Sequence, residues 1–307
     1  MIYSIIEESW LVMELLIVAT LPVLLIGLYL YKKDKNKEPG KLLAKLFISG
    51  ILSCLLVLIV SEILGSFFPL FNAETSTLNQ FELLIYVFVG VALVEEGCKW
   101  YMVYKISYNH DEFDEFYDMI LYSAMVSLGF ALFENILYVY SGGMLTGILR
   151  AILAVPGHFC DAVFMGYYLA LSKVNKLNGR EDLRKKNLAL SIIVPATLHG
   201  IYDYCLFSEI EILLIIFVIF VIILYVKTVQ KIKKSSSLTV PIRPQSQVQT
   251  QIQYSTFQNA NQYAPVPSQN SLNGEHQTPI SSSIRYCTNC GTPITSNFCP
   301  KCGRPRI

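Results

Sequence analysis

The sequence predicts an all-α polytopic membrane protein with about seven transmembrane helices, a disordered linker and a small C-terminal zinc ribbon. Three observations predict this class. Of the 307 residues, 53% are hydrophobic and only 15% are charged, whereas a soluble domain is about 25% charged. Several apolar runs reach the roughly 20 residues that a helix needs to cross a bilayer. The C-terminal end carries cysteines in two C-x2-C pairs.

Seven apolar runs are predicted to span the membrane. They lie near 10–31, 42–70, 82–104, 118–140, 148–172, 188–207 and 210–227. The first run is too long for the core of a signal peptide and no cleavage site of small residues follows it, so we interpret it as a retained helix. The second run is long enough to tilt, or to end in a re-entrant piece near 67–69.

The charges of the loops predict the orientation in the plasma membrane. Lysine and arginine concentrate in alternate segments, near 32–41, 173–186 and 227–234. The segments between them carry neither residue near 71–81, 141–147 and 208–211. Because basic loops stay in the cytoplasm, the N-terminus is predicted outside and the C-terminus inside. An odd number of spans agrees with this orientation.

The chain is predicted to divide into three parts. Residues 1–234 hold the transmembrane domain. Residues 235–285 are rich in Ser, Gln, Asn, Thr and Pro and almost free of charge, so they cannot bury enough apolar surface to offset the entropy lost on ordering. We interpret them as a flexible tether, with a Gln/Asn-rich interaction segment as the alternative. Residues 286–307 hold the zinc ribbon.

The C-terminal cysteines form the pattern C-x2-C-x8-C-x2-C, made by Cys287, Cys290, Cys299 and Cys302. Two such turns supply the four thiolates of a structural Zn²⁺ site with no open ligand position. Two disulfides are the alternative, which the reducing cytosol disfavours. The segment resembles the small zinc ribbons appended to many prokaryotic membrane proteins, which implies docking to a cytoplasmic protein partner. No basic patch indicates binding to nucleic acid.

Ionisable residues inside the predicted spans are the strongest functional signal. A charge at the centre of a membrane helix costs about 2.5–3.5 kcal/mol on insertion scales, so such residues face a bundle interior or a cavity. They fall on four consecutive helices and are Glu95, Glu96, Lys99, Glu134, His158, Asp161, His199 and Asp203. Arg150, Glu14 and Glu62 lie near helix ends, where we interpret them as structural.

The spacing of these residues favours a water-activating site. Lys99 follows Glu95 by four residues and Glu96 by three, so it can pair with either carboxylate. Asp203 follows His199 by four and could orient its imidazole. A carboxylate can take a proton from water, and imidazoles bind a metal or stabilise an oxyanion. Taken singly, a buried Glu–Lys pair or a lone histidine is often only a packing device.

The cysteines of the apolar runs are interpreted as small packing residues. They are Cys54, Cys98, Cys160 and Cys205. Cys98 and Cys160 are neighbours of the polar positions in sequence, so we expect them to line the site at most.

Four motifs in order resemble a known family. The segments are EEGCK at 95–99, FALFE at 130–134, the isolated His158, and HGIYD at 199–203. They fit E-E-x-x-K, F-x-x-x-E, a lone histidine and H-x-x-x-D. Over roughly 80–210 the sequence resembles the PrsW-type intramembrane proteases, a branch of the superfamily that also holds the CAAX prenyl endopeptidases and the bacteriocin-immunity Abi proteins. The CAAX branch typically has E-E-x-x-x-R and a second motif ending in His, so Lys99 and Glu134 favour the PrsW branch.

The resemblance implies intramembrane proteolysis of a membrane-spanning substrate, such as an anti-sigma factor or another single-span protein. It implies that the site residues are Glu95, Glu96, Lys99, Glu134, His158, His199 and Asp203. Two mechanisms stay open. Either His158, His199 and Glu134 hold a catalytic zinc while Glu95 or Glu96 acts as the base, or one glutamate activates water without metal and His199 with Asp203 stabilises the oxyanion.

Two other functions are compatible with buried charges in a membrane protein. A proton-linked transporter also uses chains of Glu, His and Asp, but transporters usually contain internal repeats, and no second copy of EEGCK or HGIYD occurs in the sequence. A catalytically inactive scaffold that anchors the zinc ribbon is the third hypothesis. A scaffold would tolerate the loss of Glu95 or His199, whereas an enzyme would not.

Overall fold

The computed structural model describes residues 2–237, 285–286 and 293–294, with side-chain surroundings for residues 13–237. The first of these segments is all helical, which confirms the predicted all-α class for this part of the chain. Its eight α-helices are α1 Ile2–Lys33, α2 Gly40–Phe67, α3 Gln80–Ile85, α4 Leu93–Ser107, α5 Phe116–Ile152, α6 Ala154–Leu177, α7 Glu181–Phe207 and α8 Glu211–Ser237.

Five described segments are long and apolar enough to cross a membrane. They are Met13–Lys33, Gly40–Phe67, Phe116–Leu177, Glu181–Phe207 and Glu211–Ser237. The third of them contains both α5 and α6. The motif helix α4 has only 15 residues, but the chain stays helical without a break from 80 to 107. The count of seven spans and the orientation of the termini stay predictions.

The chain reverses direction inside α5, at Gly143. Its φ of 75° and ψ of −164° are non-helical, and glycine adopts a positive φ without steric cost. Arg150 contacts Glu134 at 2.8 Å although 16 residues separate them, whereas a straight helix would hold them roughly 24 Å apart. The reversal falls between the predicted runs 118–140 and 148–172.

A π-helical turn, Tyr86–Ala92, joins α3 to α4. The start of α3 is fixed by Asn79, whose side chain accepts the backbone N–H groups of Phe81 and Glu82. Two 3₁₀ turns, Pro69–Asn72 and Thr75–Thr77, precede it. Wider π turns inside helices occur frequently at functional sites, and this one lies immediately before the residues of the EEGCK motif.

The first half of α5 forms the centre of the bundle. Nearly every residue from 116 to 131 is buried, and α5 packs against α1, α2 and α6, while α6 also packs against α7. A helix that is apolar on all sides suits such a central position. As a result α4, α5, α6 and α7, which carry the ionisable residues, surround one interior space.

The C-terminal part of the chain forms a separate unit, Tyr254–Ile307. Its described residues are two short strands, β1 Arg285–Tyr286 and β2 Pro293–Ile294, which pair antiparallel with Arg285 opposite Ile294. The predicted tether and the predicted zinc ligands Cys287, Cys290, Cys299 and Cys302 lie outside the described residues. The zinc ribbon and its cytoplasmic partner therefore stay predictions.

Candidate active site

Helix α4 carries two carboxylates and an ammonium into the bundle interior. Glu96 and Lys99 are fully buried and Glu95 is 9% exposed. The Lys99 Nζ lies 2.6 Å from Glu96 Oε1 and 3.6 Å from Glu95 Oε2, as the helical spacing predicts. The same Nζ lies 4.0 Å from the centre of the Phe130 ring, which adds a cation–π contact. The ammonium of Lys99 thus offsets the free-energy cost of burying the negatively charged carboxylates beside it.

His158 on α6 connects this ion pair to Glu134 on α5. Its Nδ1 lies 3.2 Å from Lys99 Nζ and its Nε2 lies 2.7 Å from Glu134 Oε2. An ammonium only donates hydrogen bonds, so Nδ1 accepts from Lys99. The ring proton then lies on Nε2 and is donated to Glu134. These contacts assign one tautomer to a neutral His158.

His199 on α7 approaches the glutamates from the opposite side. Its Nδ1 lies 3.0 Å from Glu96 Oε1, and its Nε2 lies 3.3 Å from Asp203 Oδ2 and 3.9 Å from Glu95 Oε2. The neighbouring Gly200 makes this approach possible, because a Cβ there would lie 2.6 Å from the Phe88 ring. The predicted orientation of His199 by Asp203 is therefore consistent with the geometry.

The seven predicted site residues form one connected set. Contacts run from Glu134 through His158, Lys99 and Glu96 to His199, with Glu95 beside Lys99 and Asp203 beside His199. The rings of His158 and His199 lie 5.3 Å apart, centre to centre. Each carboxylate of this set contacts a cation or an imidazole, so each buried negative charge has a partner of opposite character.

Arg150 is part of the site, although its sequence position suggested a structural role near a helix end. Its Nη2 donates to Glu134 Oε2 at 2.8 Å and its Nε donates to Asn135 Oδ1 at 3.0 Å. The guanidinium also lies 4.0 Å from the centre of the Tyr138 ring. Only the reversal at Gly143 brings Arg150 back to Glu134, and the local motif pattern contains no sign of it.

A cavity of about 660 Å³ opens beside these groups. Its polar lining includes Glu95, Glu134, Arg150, Asp161, His158, His199 and Asp203. Its apolar lining includes Tyr86, Tyr138, Leu149, Leu153, Leu198, Tyr202 and Leu206. Apolar walls with a few convergent polar groups are typical of substrate sites. Cys98 and Cys160 are buried and are not among the described residues that line the cavity.

The donor groups fit a metal ion. One ligand atom each from Glu95, Glu96, His158 and His199 lies within 4.8 Å of the others, and ligands bound to zinc at about 2.1 Å lie up to roughly 4.2 Å apart. The Oε2 atoms of Glu95 and Glu96 are buried without a hydrogen bond. Each imidazole nitrogen contacts a neighbouring side chain, so a bound ion would replace one contact on each ring. The grouping differs from the predicted ligand set, since Glu134 is engaged by Arg150 and His158 instead.

Comparisons with known proteins identify the family of this chain. A family model described as PrsW family intramembrane metalloprotease matches residues 38–227. The Protease PrsW of Oceanobacillus iheyensis is 37% identical over 195 residues, covering 63% of this chain and 84% of that protein. The Protease PrsW of Clostridioides difficile is 30% identical over 228 residues, covering 72% of this chain and 91% of that protein. The Protease PrsW of Shouchella clausii is 32% identical over 230 residues, covering 74% of this chain and 99% of that protein. No solved structure matches the chain.

Proposed function

Because the chain belongs to the PrsW family of intramembrane metalloproteases, we propose that it hydrolyses peptide bonds of membrane-spanning protein substrates in this cavity. The observation that carries the proposal is the contact path from Glu134 to His199, which lines the cavity at Glu134, His158 and His199 and has Glu95 beside it. A protease needs a base for water and a stabiliser for the oxyanion. The path and the adjacent Glu95 offer both, on helices that pack against one another.

Glu95 is the better of the two glutamates for the role of base. It lines the cavity, its contacts to Lys99 and His199 are long at 3.6 and 3.9 Å, and Oε2 has no hydrogen bond. Glu96 is fully buried and held by Lys99 at 2.6 Å and His199 at 3.0 Å. Glu95 is therefore free to bind water, while Glu96 positions the lysine and the imidazole.

The reaction uses the groups as follows. Glu95 accepts a proton from a water molecule as its oxygen attacks the carbonyl carbon of the scissile bond. His199 is held at Nδ1 by Glu96, and its Nε2–H, shared with Asp203, donates a hydrogen bond to the oxyanion that forms. The C–N bond then breaks, and the proton held by Glu95 passes to the leaving nitrogen, which regenerates the carboxylate.

The family description, an intramembrane metalloprotease, implies a metal ion. Glu96, His158 and His199 would hold it, with Glu95 beside the remaining ligand position, an arrangement of three protein ligands and one open position that is usual for catalytic zinc. A bound ion would supply activation of the water and polarisation of the substrate carbonyl. Glu95 would keep its role as the base in either case, whereas His199 would change from a donor to the oxyanion into a ligand of the ion.

The test is cleavage of single-span membrane proteins by purified protein in proteoliposomes. Glu95→Gln keeps the size of the side chain but removes the base, so we expect cleavage to fall at least about 100-fold, the low end for general base catalysis. Glu96→Gln should also lower cleavage, and it should lower the melting temperature as well, because Lys99 loses its partner.

Two controls make the result specific. Glu14 and Glu62 are exposed, so Glu14→Gln and Glu62→Gln should keep full cleavage. A cleaved product from the unaltered protein excludes both the transporter and the inactive scaffold. Full cleavage by a folded Glu95→Gln variant would contradict the mechanism, and failure of the unaltered protein on every substrate of the panel would contradict the function.

A further inference from the structure

Of the described carboxylates that line the cavity, Asp161 is the one that neither takes part in the proposed mechanism nor pairs with a basic side chain. It lies on α6 one turn after His158, is 4% exposed, and lines the cavity. Its Oδ1 is buried without a hydrogen bond. In the part of the chain with described side chains, no basic group lies within salt-bridge distance of it. By contrast, Glu134 is bound by Arg150 and His158.

A buried carboxylate without a partner is unfavourable for the folded protein. An unsatisfied polar group in an apolar interior costs free energy, and burial at membrane depth adds to that cost. Of the described residues that line the cavity, only Glu95 and Asp161 have a buried oxygen with no hydrogen bond. Glu95 has a proposed role in water activation. The missing hydrogen-bond partner of the Asp161 oxygen is then expected to come from a molecule that enters the cavity.

The substrate brings the missing donor. A peptide chain in the membrane interior must satisfy its backbone N–H groups, because no bulk water is present. When a substrate segment unwinds to expose a peptide bond, the N–H of that bond loses its partner within the helix. An acceptor that is already desolvated and fixed on a helix can bind it without further reorganisation.

We propose that Asp161 is a further catalytic residue, whose free carboxylate oxygen accepts a hydrogen bond from the N–H of the scissile peptide bond. The inference rests on the proposed proteolytic function. Asp161 binds the nitrogen side of the bond, opposite the oxygen side that His199 stabilises. After Glu95 transfers the proton from water to this nitrogen and the C–N bond breaks, the new amine still donates to Asp161. Asp161 neither gains nor loses a proton in the cycle.

The experiment compares an amide with an ester at the same bond. A synthetic single-span substrate is first cleaved by the unaltered protein, and mass spectrometry locates the bond. A second substrate has a backbone ester there, which has no N–H. For Asp161→Asn we expect kcat/KM on the amide to fall about 10- to 100-fold, the range for a hydrogen bond to a charged group. On the ester, after subtraction of the spontaneous rate, we expect a fall below about 3-fold.

Asp118→Asn is the matched control. Asp118 is fully buried, but its Oδ2 accepts the backbone N–H groups of Asp114 and Glu115, and it is not among the described cavity-lining residues. Asp118→Asn should lower the melting temperature and leave the amide-to-ester ratio unchanged. Asp161→Asn should change that ratio and keep or raise the melting temperature.

Each other outcome contradicts the assignment. An equal fall on both substrates would show an indirect effect, and unchanged cleavage of the amide would show that Asp161 does not contact the bond. Loss of folding in Asp161→Asn would show a structural partner for the carboxylate. If the unaltered protein cleaves the amide, the proposed function stands whatever the variant does. If it does not, both proposals fail together.

Discussion

Two groups of carboxylates, each with buried members, have different surroundings in this protein. The active-site cluster consists of Glu95, Glu96, Glu134, His158, His199, Lys99, Arg150 and Asp203. The loop cluster consists of the buried Asp34, Glu38 and Asp118, the half-buried Glu115, and the exposed Glu112 and Asp114. In the active-site cluster the carboxylates alternate with cations and imidazoles. In the loop cluster their hydrogen-bond partners are backbone N–H groups, an amide side chain and a hydroxyl.

The loop cluster has a structural task. Asp118 accepts the N–H of Glu115 at 2.6 Å, and the two side chains form a capping box at the start of α5. Glu38 accepts a hydrogen bond from the hydroxyl of Tyr122, which ties the loop between α1 and α2 to α5. These bonds satisfy donors that folding would otherwise leave unpaired.

The comparison separates burial from catalytic capacity. Both clusters remove carboxylates from water, but only the active-site cluster combines them with groups that can exchange protons and with a cavity that admits substrate. A buried acid is therefore a weak sign of catalysis by itself. Alternation with basic groups beside a cavity is a much stronger one.

The largest expected effect comes from removing an imidazole of the active-site cluster. His199→Ala removes the oxyanion donor and a ligand of the implied metal, so cleavage should fall about 100- to 1000-fold. Metal content is measured by mass spectrometry in a Cys287→Ser, Cys299→Ser background, so that metal bound by the predicted ribbon does not contribute. We expect one ion per chain in that background and none after His199→Ala.

Glu38→Gln provides the control from the loop cluster. It removes a buried carboxylate of similar size, yet cleavage should stay within about 3-fold, since Glu38 makes no described contact with the cavity. If Glu38→Gln lowered cleavage as strongly as His199→Ala, the distinction between the two clusters would be lost.

Local parts of the site were predictable from the sequence. Glu96, Lys99, His199 and Asp203 lie within a helical turn of their partners, so spacing alone predicts the Lys99–Glu96 and His199–Asp203 contacts that are observed at 2.6 and 3.3 Å. The all-α class follows from apolar runs of membrane length in the same way, because both depend on the regular rise of a helix.

Long-range parts of the site were not predictable. The contact of His158 with Glu134 joins two helices, and that of Arg150 with Glu134 depends on the backbone at Gly143. The spacing of residues does not locate the reversal of the chain with the precision of a single residue. The burial of Asp34 and Glu38 is hidden for a similar reason, since they stand in the lysine-rich segment near 32–41, whose composition predicts a cytoplasmic loop and shows nothing of its packing.

A smaller effect is expected from Arg150, which contacts the other charged residues of the active-site cluster through Glu134. Arg150→Ala should lower kcat about 10-fold with little change in KM, because Glu134 loses one of its two partners and His158 is held less firmly. Arg150→Lys keeps the charge but loses the paired geometry toward Glu134 and Asn135, so it should give an intermediate rate. The measurement is kcat and KM in proteoliposomes.

Arg184→Ala is the matched control for Arg150. Arg184 forms an ion pair with the exposed Glu181 at 2.5 Å, and exposed pairs contribute little to stability. Cleavage should stay within about 2-fold. If Arg150→Ala behaved like Arg184→Ala, the role of Arg150 in positioning Glu134 would be excluded.

The smallest effect belongs to the loop cluster and concerns stability instead of cleavage. Burial, with the nearby charges of Asp34, Glu112 and Asp114, raises the pKa of Glu38 to about 7, although the hydrogen bond from Tyr122 opposes the shift. The folded state therefore binds this proton more tightly than the unfolded state, whose glutamate has a pKa of about 4.3. The stabilisation is complete below about pH 4.3 and is lost as the pH rises to about 7.

Glu38→Gln should remove this part of the pH dependence. The melting temperature of the variant, relative to the unaltered protein, should rise by about 2–5 °C between pH 5 and pH 8. A residual slope should remain in the variant, because burial also raises the pKa of Asp34. Glu62→Gln, at an exposed site, should show a difference that does not vary with pH. If the difference in melting temperature for Glu38→Gln also stayed constant between pH 5 and pH 8, Glu38 would titrate like a solvated glutamate. The loop around it would then be solvated and not a buried capping structure.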